Sequence, residues 1–227
     1  MSVAVIGCNG MCYNPQTFTK LNGKVLIPAL TVKCGKCLTC LRQKSDAWAD
    51  RMELEARYVG HENCVFLTLT YDDAVLDSRG EVLRLDMTHI QKFFKRFRKE
   101  LDNYGNRIRY FYCGEYGTKT YRPHYHLLIF GISPQHPVFH WDIHRVVTKS
   151  GWSLRLKTWK YGFVNLSARV ERGTFRYVCS YMMEDTPVRR KLLESMGLPP
   201  EFRRMSRNPG LGFFELKKNL IDTSISQ

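Results

Sequence analysis

The clearest periodic pattern in the sequence is a run of apolar residues that recur every three or four positions after Asp86. These residues are Met87, Ile90, Phe93, Phe94, Phe97 and Leu101. Their spacing places them on one face of a helix of about four turns, and Asp86 has the short acceptor side chain favoured at a helix N-cap. The pattern predicts an amphipathic helix whose other face carries cations, among them Lys92, Lys95, Arg96, Arg98 and Lys99.

Alternating apolar positions predict a set of β-strands. Four apolar residues between Cys64 and Tyr71 alternate with a less apolar set, Phe66, Thr68 and Thr70. Such a period of two is typical of a strand with two unlike faces. Residues 108–114 and 124–130 also have strand composition, and a turn-rich stretch separates them, so we expect an antiparallel hairpin. Residues 162–167 predict one further short strand.

Helical patterns flank these strands on both sides. Residues 41–58 are dominated by helix formers, and residues 174–185 have helical spacing that Pro187 ends. Residues 1–40 are irregular, and residues 133–159 show no clear period. The part that follows Val188 is basic and rich in proline, so we expect a loosely ordered tail with one short helix.

These elements predict an α+β fold of the two-layer kind. We expect a central, mainly antiparallel sheet with helices on one face, and an open sheet face that presents the functional site. The expected division is a cysteine-rich segment with the first helix at 1–59, a core at 60–187 and a basic tail at 188–227. At 227 residues the chain is long enough for one compact core and a small appendage.

Composition adds the kind of partner. The chain carries 35 Lys and Arg against 21 Asp and Glu, a formal charge of +14, with 44% hydrophobic residues. A folded, strongly basic protein indicates a polyanionic partner, most often nucleic acid. No apolar run reaches the roughly 18 residues of a membrane span, and the first residues lack a signal-peptide pattern. We therefore expect a soluble, intracellular protein with no membrane partner.

The sharpest chemical motif is His124-Tyr125-His126. Residues i and i+2 of a strand face the same side, so the two imidazoles can share a metal ion. A hairpin turning near Lys119 places Glu115 opposite His124 on that face. Two imidazoles and a carboxylate suit Mg²⁺ or Mn²⁺ in a phosphate-handling site, and Zn²⁺ also fits. The alternative is a pair of hydrogen-bonded histidines on the sheet without a metal.

Tyr177 and Tyr181 are four residues apart in a predicted helix, so both phenols lie on one face about one turn apart. A phenol beside a metal-bound phosphate can act as a covalent nucleophile. Tyrosines at this spacing are more often half-buried core residues with a solvated hydroxyl. The spacing alone leaves both interpretations open.

Eight cysteines are present, and five of them lie in the first 40 residues. Cys34, Cys37 and Cys40 are spaced by three, with Cys12 or Cys8 available as a fourth ligand. Such spacing predicts a structural Zn²⁺ site that staples an appendage too small for its own core. Reduced free thiols and an iron-sulfur cluster are the alternatives. Three further cysteines are expected to be buried thiols: Cys64, Cys113 and Cys179.

The motifs in their order resemble a known family. Phe66-Leu-Thr-Leu-Thr-Tyr71, Gly114-Glu-Tyr-Gly117, Arg122-Pro-His-Tyr-His126 and a late tyrosine-bearing helix resemble the replication initiators of small single-stranded DNA phages. The similarity is to the gokushovirus branch of the microviruses and, more broadly, to the HUH endonucleases. It covers roughly residues 34–184, including the cysteine cluster.

The resemblance implies a specific activity. His124, His126 and Glu115 would hold a divalent metal, and Tyr177 and Tyr181 would alternate as nucleophiles on a single-stranded DNA origin. Attack would leave a 5′-phosphotyrosine link and a free 3′-hydroxyl that primes rolling-circle synthesis. The implied setting is the cytoplasm of a host bacterium. A host helicase and a DNA polymerase are the expected partners, because the chain is too short to include a helicase.

The chain departs from the family pattern at two positions. A lysine usually follows each tyrosine by three residues, but Ser180 and Glu184 stand there. Arg176, Arg189 or Lys191 could replace the missing charge, or Glu184 could approach the metal. A zinc-stapled nucleic-acid-binding regulator without catalysis is one alternative function, and an HUH relaxase or transposase is another.

The expected DNA contacts come from the excess of cations. A charged helix face is usually only a solvated surface, but with this net charge part of it is expected to line a groove for the DNA backbone. The residues assigned to this role are Lys92, Lys95, Arg96, Lys99 and Arg122. Tyrosines and tryptophans among the cations could stack on unpaired bases, or they could belong to the core.

Overall fold

The computed structural model describes residues 4–5, 12–148, 151–167, 169–184 and 186–225. Its helices are α1 (Leu38–Val59), α2 (Asp73–Asp77), α3 (Met87–Asp102), α4 (Pro137–Asp142), α5 (Arg172–Glu184), α6 (Pro187–Ser195) and α7 (Phe213–Ile225). Its strands are β1 (Ala4–Val5), β2 (Gln16–Leu21), β3 (Lys24–Val32), β4 (Cys64–Tyr71), β5 (Arg109–Tyr116), β6 (Pro123–Phe130), β7 (Ile143–Thr148), β8 (Gly151–Leu156), β9 (Gly162–Ser167) and β10 (Phe202–Met205).

A seven-stranded sheet forms the centre of the fold. Its strand order is β10-β5-β6-β4-β9-β8-β7, and every neighbouring pair is antiparallel. The predictions of an α+β fold, an antiparallel sheet and a β5–β6 hairpin are confirmed. The predicted helix after Asp86 is α3, and the Asp86 side chain accepts a hydrogen bond from the backbone N–H of Thr88 at 2.7 Å.

Helices cover both faces of this sheet. On one face α3 contributes Ile90, Phe93 and Phe97 to a core that includes Leu67 and Leu127. On the other face α1 and α5 pack together, and the second core contains Ala49, Met52, Phe111, Leu128, Phe130, Phe175 and Val178.

The predictions of helices on one face and of an open sheet face are therefore wrong. The physical reason is visible in β6, where four consecutive apolar residues point alternately to the two faces. Leu127 and Ile129 belong to the core under α3, whereas Leu128 and Phe130 belong to the core under α1 and α5. A strand that is apolar on both faces needs a covering layer on each.

The segment that follows Val188 is more ordered than its composition predicts. It contains α6, β10 and α7, so the expectation of a loosely ordered tail is wrong. Strand β10 adds to the sheet beside β5, with Phe202 opposite Gly114. The fully buried Glu55 lies 2.6 Å from Nε of Arg109 and accepts a 2.7 Å hydrogen bond from the backbone N–H of Gly212. A buried carboxylate thus ties the C-terminal segment to α1 and β5.

The stretch 133–159 contains elements that its pattern does not predict. Pro137 is the first residue of α4, a position where proline is tolerated because its missing N–H needs no partner. Strands β7 and β8 then form an antiparallel hairpin at the far edge of the sheet. No helix in the described ranges has both the length and the apolar character needed to cross a lipid bilayer.

Near the N-terminus, β1, β2 and β3 form a separate three-stranded sheet. Every residue of β2 is exposed, and most of β3 is exposed or only partly buried. Large apolar side chains on this sheet face solvent, with Ile27 91% exposed and Val25 64% exposed. This small sheet therefore has no hydrophobic core of its own among the described residues.

Candidate active site

The predicted register of the β5–β6 hairpin is confirmed. Glu115 lies opposite His124, and Cys113 lies opposite His126. On the other side of β6, Thr70 pairs with His124 and Thr68 pairs with His126. Since opposed residues in an antiparallel pair point to the same face, the carboxylate, both imidazoles and both threonines project toward α5.

These side chains line a cleft of about 370 Å³ between the sheet and α5. The lining residues are Thr68, Thr70, Glu115, Gly117, Thr118, His124, His126, Tyr177, Tyr181 and Glu184. The same strands carry apolar residues further along, where Phe111, Leu128 and Phe130 support the helices. The cleft thus occupies the polar end of a face that is otherwise hydrophobic core.

His126 is held on both ring nitrogens. Its Nε2 lies 2.8 Å from Oε1 of Glu115, and its Nδ1 lies 3.2 Å from Oγ1 of Thr68. Both His126 and Glu115 are largely buried, at 5% and 9% exposure. Phe66 stacks on the imidazole with ring centroids 5.9 Å apart. A ring fixed by two hydrogen bonds and a stacked neighbour presents its nitrogens in a set orientation.

His124 is held less tightly. Its Nδ1 is buried and has no hydrogen-bond partner among the described residues. Burial lowers the pKa of His124, and the neighbouring His126 lowers it further. The imidazole is therefore neutral at physiological pH, with a lone pair free to bind a cation. An unpartnered buried nitrogen beside a carboxylate and a second imidazole fits a metal ligand set.

The three predicted metal ligands share the cleft without forming a tight cluster. The ring centroids of His124 and His126 are 6.4 Å apart. Within the described part of the chain, only the N-terminal cysteines bring three or more ligand atoms within 4.8 Å of one another. The donor set suits a divalent cation, and binding one would replace the hydrogen bond between His126 and Glu115.

Tyr177 and Tyr181 extend from one face of α5 over the histidines. The Tyr181 ring stacks on His126 with centroids 4.7 Å apart and an interplanar angle of 9°. Its hydroxyl donates a 2.5 Å hydrogen bond to the hydroxyl oxygen of Tyr177. Tyr177 is 51% exposed and meets Phe66 and His126 edge-on. The sequence prediction that both phenols share one helix face is thus confirmed.

The two phenols differ in environment. Burial raises the pKa of Tyr181 far above its ordinary value, and the hydrogen bond to Tyr177 and the charge of Glu115 act in the same direction. Tyr181 is therefore a neutral hydrogen-bond donor, and Tyr177 is its exposed acceptor. A donor aimed at the Tyr177 oxygen stabilises negative charge that develops there.

Glu184 stands in the cleft where the family pattern has a lysine. Burial raises the pKa of Glu184, and the charge of Glu115 raises it further. Ser180, at the other departing position, donates a 2.7 Å hydrogen bond to the carbonyl of Tyr177 instead of facing the cleft with a charge. Arg189 is not a free replacement, because it pairs with Glu201 at 2.8 Å.

The cations assigned to DNA contacts fall into two groups. Lys92, Lys95 and Lys99 are exposed on α3. Arg96 donates a 2.8 Å hydrogen bond to the carbonyl of Thr158, and Arg122 pairs with Asp73 at 2.8 Å. These two arginines therefore have internal partners, and the assignment of all five to DNA stays a prediction.

A basic groove runs along α3 on the sheet face opposite the cleft. Its two connected parts measure about 530 and 460 Å³ and share Gln91, Tyr110 and Tyr112. The cations along it are Lys95, Arg98, Lys99, Arg204 and Arg207. The guanidinium of Arg98 lies 5.3 Å from the Tyr110 ring centroid. Cations alternate here with aromatic rings, a combination suited to a single-stranded polyanion.

Comparison with known proteins identifies the family. The family model of replication-associated proteins of the ORF2 type matches residues 64–186, more than half of the chain. The chain therefore belongs to this family. The matched region includes the hairpin with Glu115 and both histidines, and it includes both tyrosines of α5. The resemblance to phage replication proteins that the motifs indicate is confirmed.

Three relatives come from bacterial viruses. The chain is 34% identical to replication-associated protein ORF4 of Chlamydia phage 1 over 157 residues, covering 66% of this chain and 37% of that protein. It is 30% identical to replication-associated protein ORF2 of Spiroplasma virus 4 over 200 residues, covering 84% and 59%. Replication-associated protein VP4 of Bdellovibrio phage phiMH2K is 38% identical over 106 residues, covering 44% and 32%.

The aligned region thus spans between about a third and three fifths of each relative's length. No solved structure matches the chain. Family membership therefore supports a role in DNA replication of single-stranded DNA phages, whereas the chemistry has to be argued from the cleft.

Several residues of the cleft are absent from the sequence-based site. Thr68, Thr70 and Phe66 lie on the less apolar face of β4, and that alternation is the signal that could have placed them beside the histidines. The sequence did bring Glu184 into consideration, through its position three residues after Tyr181.

Proposed function

We propose that this protein initiates rolling-circle replication by cutting and rejoining single-stranded DNA through a tyrosine nucleophile. The observation that carries the proposal is the position of Tyr177 and Tyr181 directly over His126 and Glu115 in one cleft. Family membership supports the replication role. The two phenols and the acceptor-rich floor support phosphoryl transfer over simple binding, because a binding module needs no nucleophile.

In the proposed step, the phenolic oxygen of Tyr177 attacks a backbone phosphorus. An oxygen–phosphorus bond forms to the tyrosine, the bond from phosphorus to the 3′-oxygen breaks, and the phenol proton passes to a base of the cleft. His124, His126 and Glu115 would hold a Mg²⁺ or Mn²⁺ ion, which polarises the phosphoryl oxygens. The tyrosyl link conserves the phosphodiester energy, so rejoining is the same step reversed and no nucleotide cofactor is needed.

The chain's own residues prepare this attack. Tyr181 donates its proton toward the Tyr177 oxygen and stays neutral, which stabilises charge on the attacking group. Phe66 and Tyr181 enclose the His126 ring, and Thr68 orients it. Fixed orientation lowers the barrier because in-line displacement requires aligned atoms.

The experiment that tests the proposed function looks for a covalent adduct. Purified protein is incubated with labelled single-stranded circular DNA from its own genome, with Mn²⁺ or with a chelator, and analysed on a denaturing gel. We expect a metal-dependent protein–DNA band and a free 3′-hydroxyl that a polymerase extends. Tight binding without an adduct under any metal would contradict the proposal and favour the regulator that only binds nucleic acid.

We also infer that the basic groove along α3 binds the DNA backbone. Replacing Lys95 and Lys99 with glutamate should weaken binding of a fluorescent oligothymidine and reduce its salt slope by about 1.4, since each single-strand phosphate contact contributes about 0.7. Anisotropy titrations at several salt concentrations measure both quantities.

The matched control is Lys217→Glu with Lys218→Glu on α7, which changes net charge equally at exposed positions outside the groove. Equal losses in the two double variants would mean that net charge and not the groove governs binding. Host helicase and polymerase partners, and action in the host cytoplasm, are part of the same proposal, because a nicked origin needs strand separation and extension from its 3′-hydroxyl.

A further inference from the structure

The four cysteines Cys12, Cys34, Cys37 and Cys40 form a compact group beside the N-terminus of α1. Their Sγ atoms all lie within 4.8 Å of one another. The distance between the sulfurs of Cys34 and Cys40 is 3.9 Å, and so is that between Cys37 and Cys12. All four are free of disulfide bonds.

We propose that this cluster is a structural zinc site that anchors the small N-terminal sheet to α1. Four sulfurs at the usual zinc–sulfur distance of about 2.3 Å occupy the corners of a tetrahedron about 3.8 Å apart. The measured separations match that spacing. The sequence left Cys8 and Cys12 as alternative fourth ligands, and the structure assigns the position to Cys12.

The backbone around the cluster is arranged for negative sulfurs. The N–H groups of Lys36 and Cys37 donate to the sulfur of Cys34 at 3.5 and 3.3 Å, and the N–H of Cys34 donates to the sulfur of Cys12 at 3.3 Å. Gly35, with a φ of +71°, lets the chain turn back so that these amides face the sulfur. Amide donors stabilise the thiolate form that binds zinc.

The position of each ligand explains what the metal would hold together. Cys12 precedes β2 and Cys34 follows β3, so these two residues bracket the small sheet. Cys37 is the N-cap residue of α1, and Cys40 lies in its first turn. A metal bound by all four thiolates would therefore fix both ends of the β2–β3 hairpin to α1.

A sheet without a core needs such an anchor. Side chains of β2 and β3 are mainly exposed, and neither hydrophobic core contains one of their residues. Elements too small to bury a core are commonly stabilised by a structural metal instead. Zinc suits this role because it has no redox chemistry and accepts four thiolates in a closed tetrahedral site.

Metal analysis of the purified full-length protein tests the proposal directly. We expect about one zinc per chain by mass spectrometry after dialysis. The double variant Cys12→Ser with Cys34→Ser should retain at least tenfold less. Cys179→Ala is the matched control, because this thiol lies outside the cluster. Cys8→Ser should also keep the wild-type content, because Cys12 supplies the fourth sulfur.

Cobalt substitution of the wild-type protein gives a readout that does not depend on the variants folding. We expect thiolate-to-cobalt charge-transfer absorption and the strong ligand-field bands of a tetrahedral site. Limited proteolysis should then cut the double variant within residues 12–37 while the 64–205 region stays resistant.

Three results would overturn the zinc site. They are zinc content below a tenth of an equivalent in wild-type protein reconstituted with zinc, wild-type zinc content in the double variant, and iron with iron-sulfur absorption in place of zinc. None of these measurements uses DNA cleavage, so failure of the zinc site and failure of the proposed nuclease are distinguishable.

Discussion

Replacing His124 and His126 together with alanine is expected to abolish metal-dependent cleavage of single-stranded DNA, with a loss of at least about 1,000-fold in the single-turnover rate. A metal contributes several kcal/mol of charge stabilisation to a transferring phosphoryl group, and each 1.36 kcal/mol changes a rate tenfold. DNA affinity should change little, because the proposed backbone groove lies on the other sheet face.

Single-turnover assays with excess protein measure the cleavage rate, and anisotropy measures DNA binding in the same buffer. His61→Ala with His136→Ala is the control, since both of these histidines are absent from the cleft lining. A melting curve verifies that each variant is folded. Metal-dependent nicking that survives in the His124, His126 double variant would remove these residues from the mechanism.

The second large effect concerns the nucleophile. Tyr177→Phe should eliminate the covalent adduct in the first cleavage step, because the exposed Tyr177 hydroxyl is the acceptor of the proton from Tyr181. Tyr181→Phe should still form the adduct more slowly, since it removes only the donor, and should fail to transfer the strand in a complete replication round. Denaturing gels with a linear origin oligonucleotide and with a pre-formed adduct separate these two steps.

Tyr58→Phe, which removes an exposed phenol outside the cleft, is the control for loss of a hydroxyl. If the Tyr177→Phe, Tyr181→Phe double variant still forms an alkali-stable, metal-dependent adduct, a different residue is the nucleophile. An adduct lost in Tyr181→Phe but kept in Tyr177→Phe would reverse the assigned order of the two tyrosines.

Local patterns in the sequence predict the centre of the fold well. The period of the residues after Asp86 predicts α3, and counting from the turn near Lys119 predicts that Glu115 opposes His124. Both predictions depend on interactions between residues close in the chain. The second covering layer and the pairing of β10 with β5 depend on contacts between distant segments, which periodicity does not report.

The candidate site is predicted in its residues but not in its environment. The histidines, Glu115 and both tyrosines meet in one cleft as the motifs indicate. Sequence spacing does not show that Tyr181 stacks on His126 or that Glu184 faces Glu115. It also does not show that Arg96 has an internal partner, because a cation on a helix surface has the same pattern whether or not a distant carbonyl reaches it.

Strand β10 makes completion of the sheet a late event in synthesis. Strand β5 keeps an open edge of backbone donors and acceptors until residues 202–205 pair with it. The N–H of Tyr116 next to the cleft finds its acceptor in Glu201, at 2.9 Å. Because such long-range pairing forms slowly, a nascent chain on the ribosome carries every residue of the cleft before its supporting sheet is closed. Folding of the hairpin that bears Glu115 and His124 is thereby coupled to near-completion of translation.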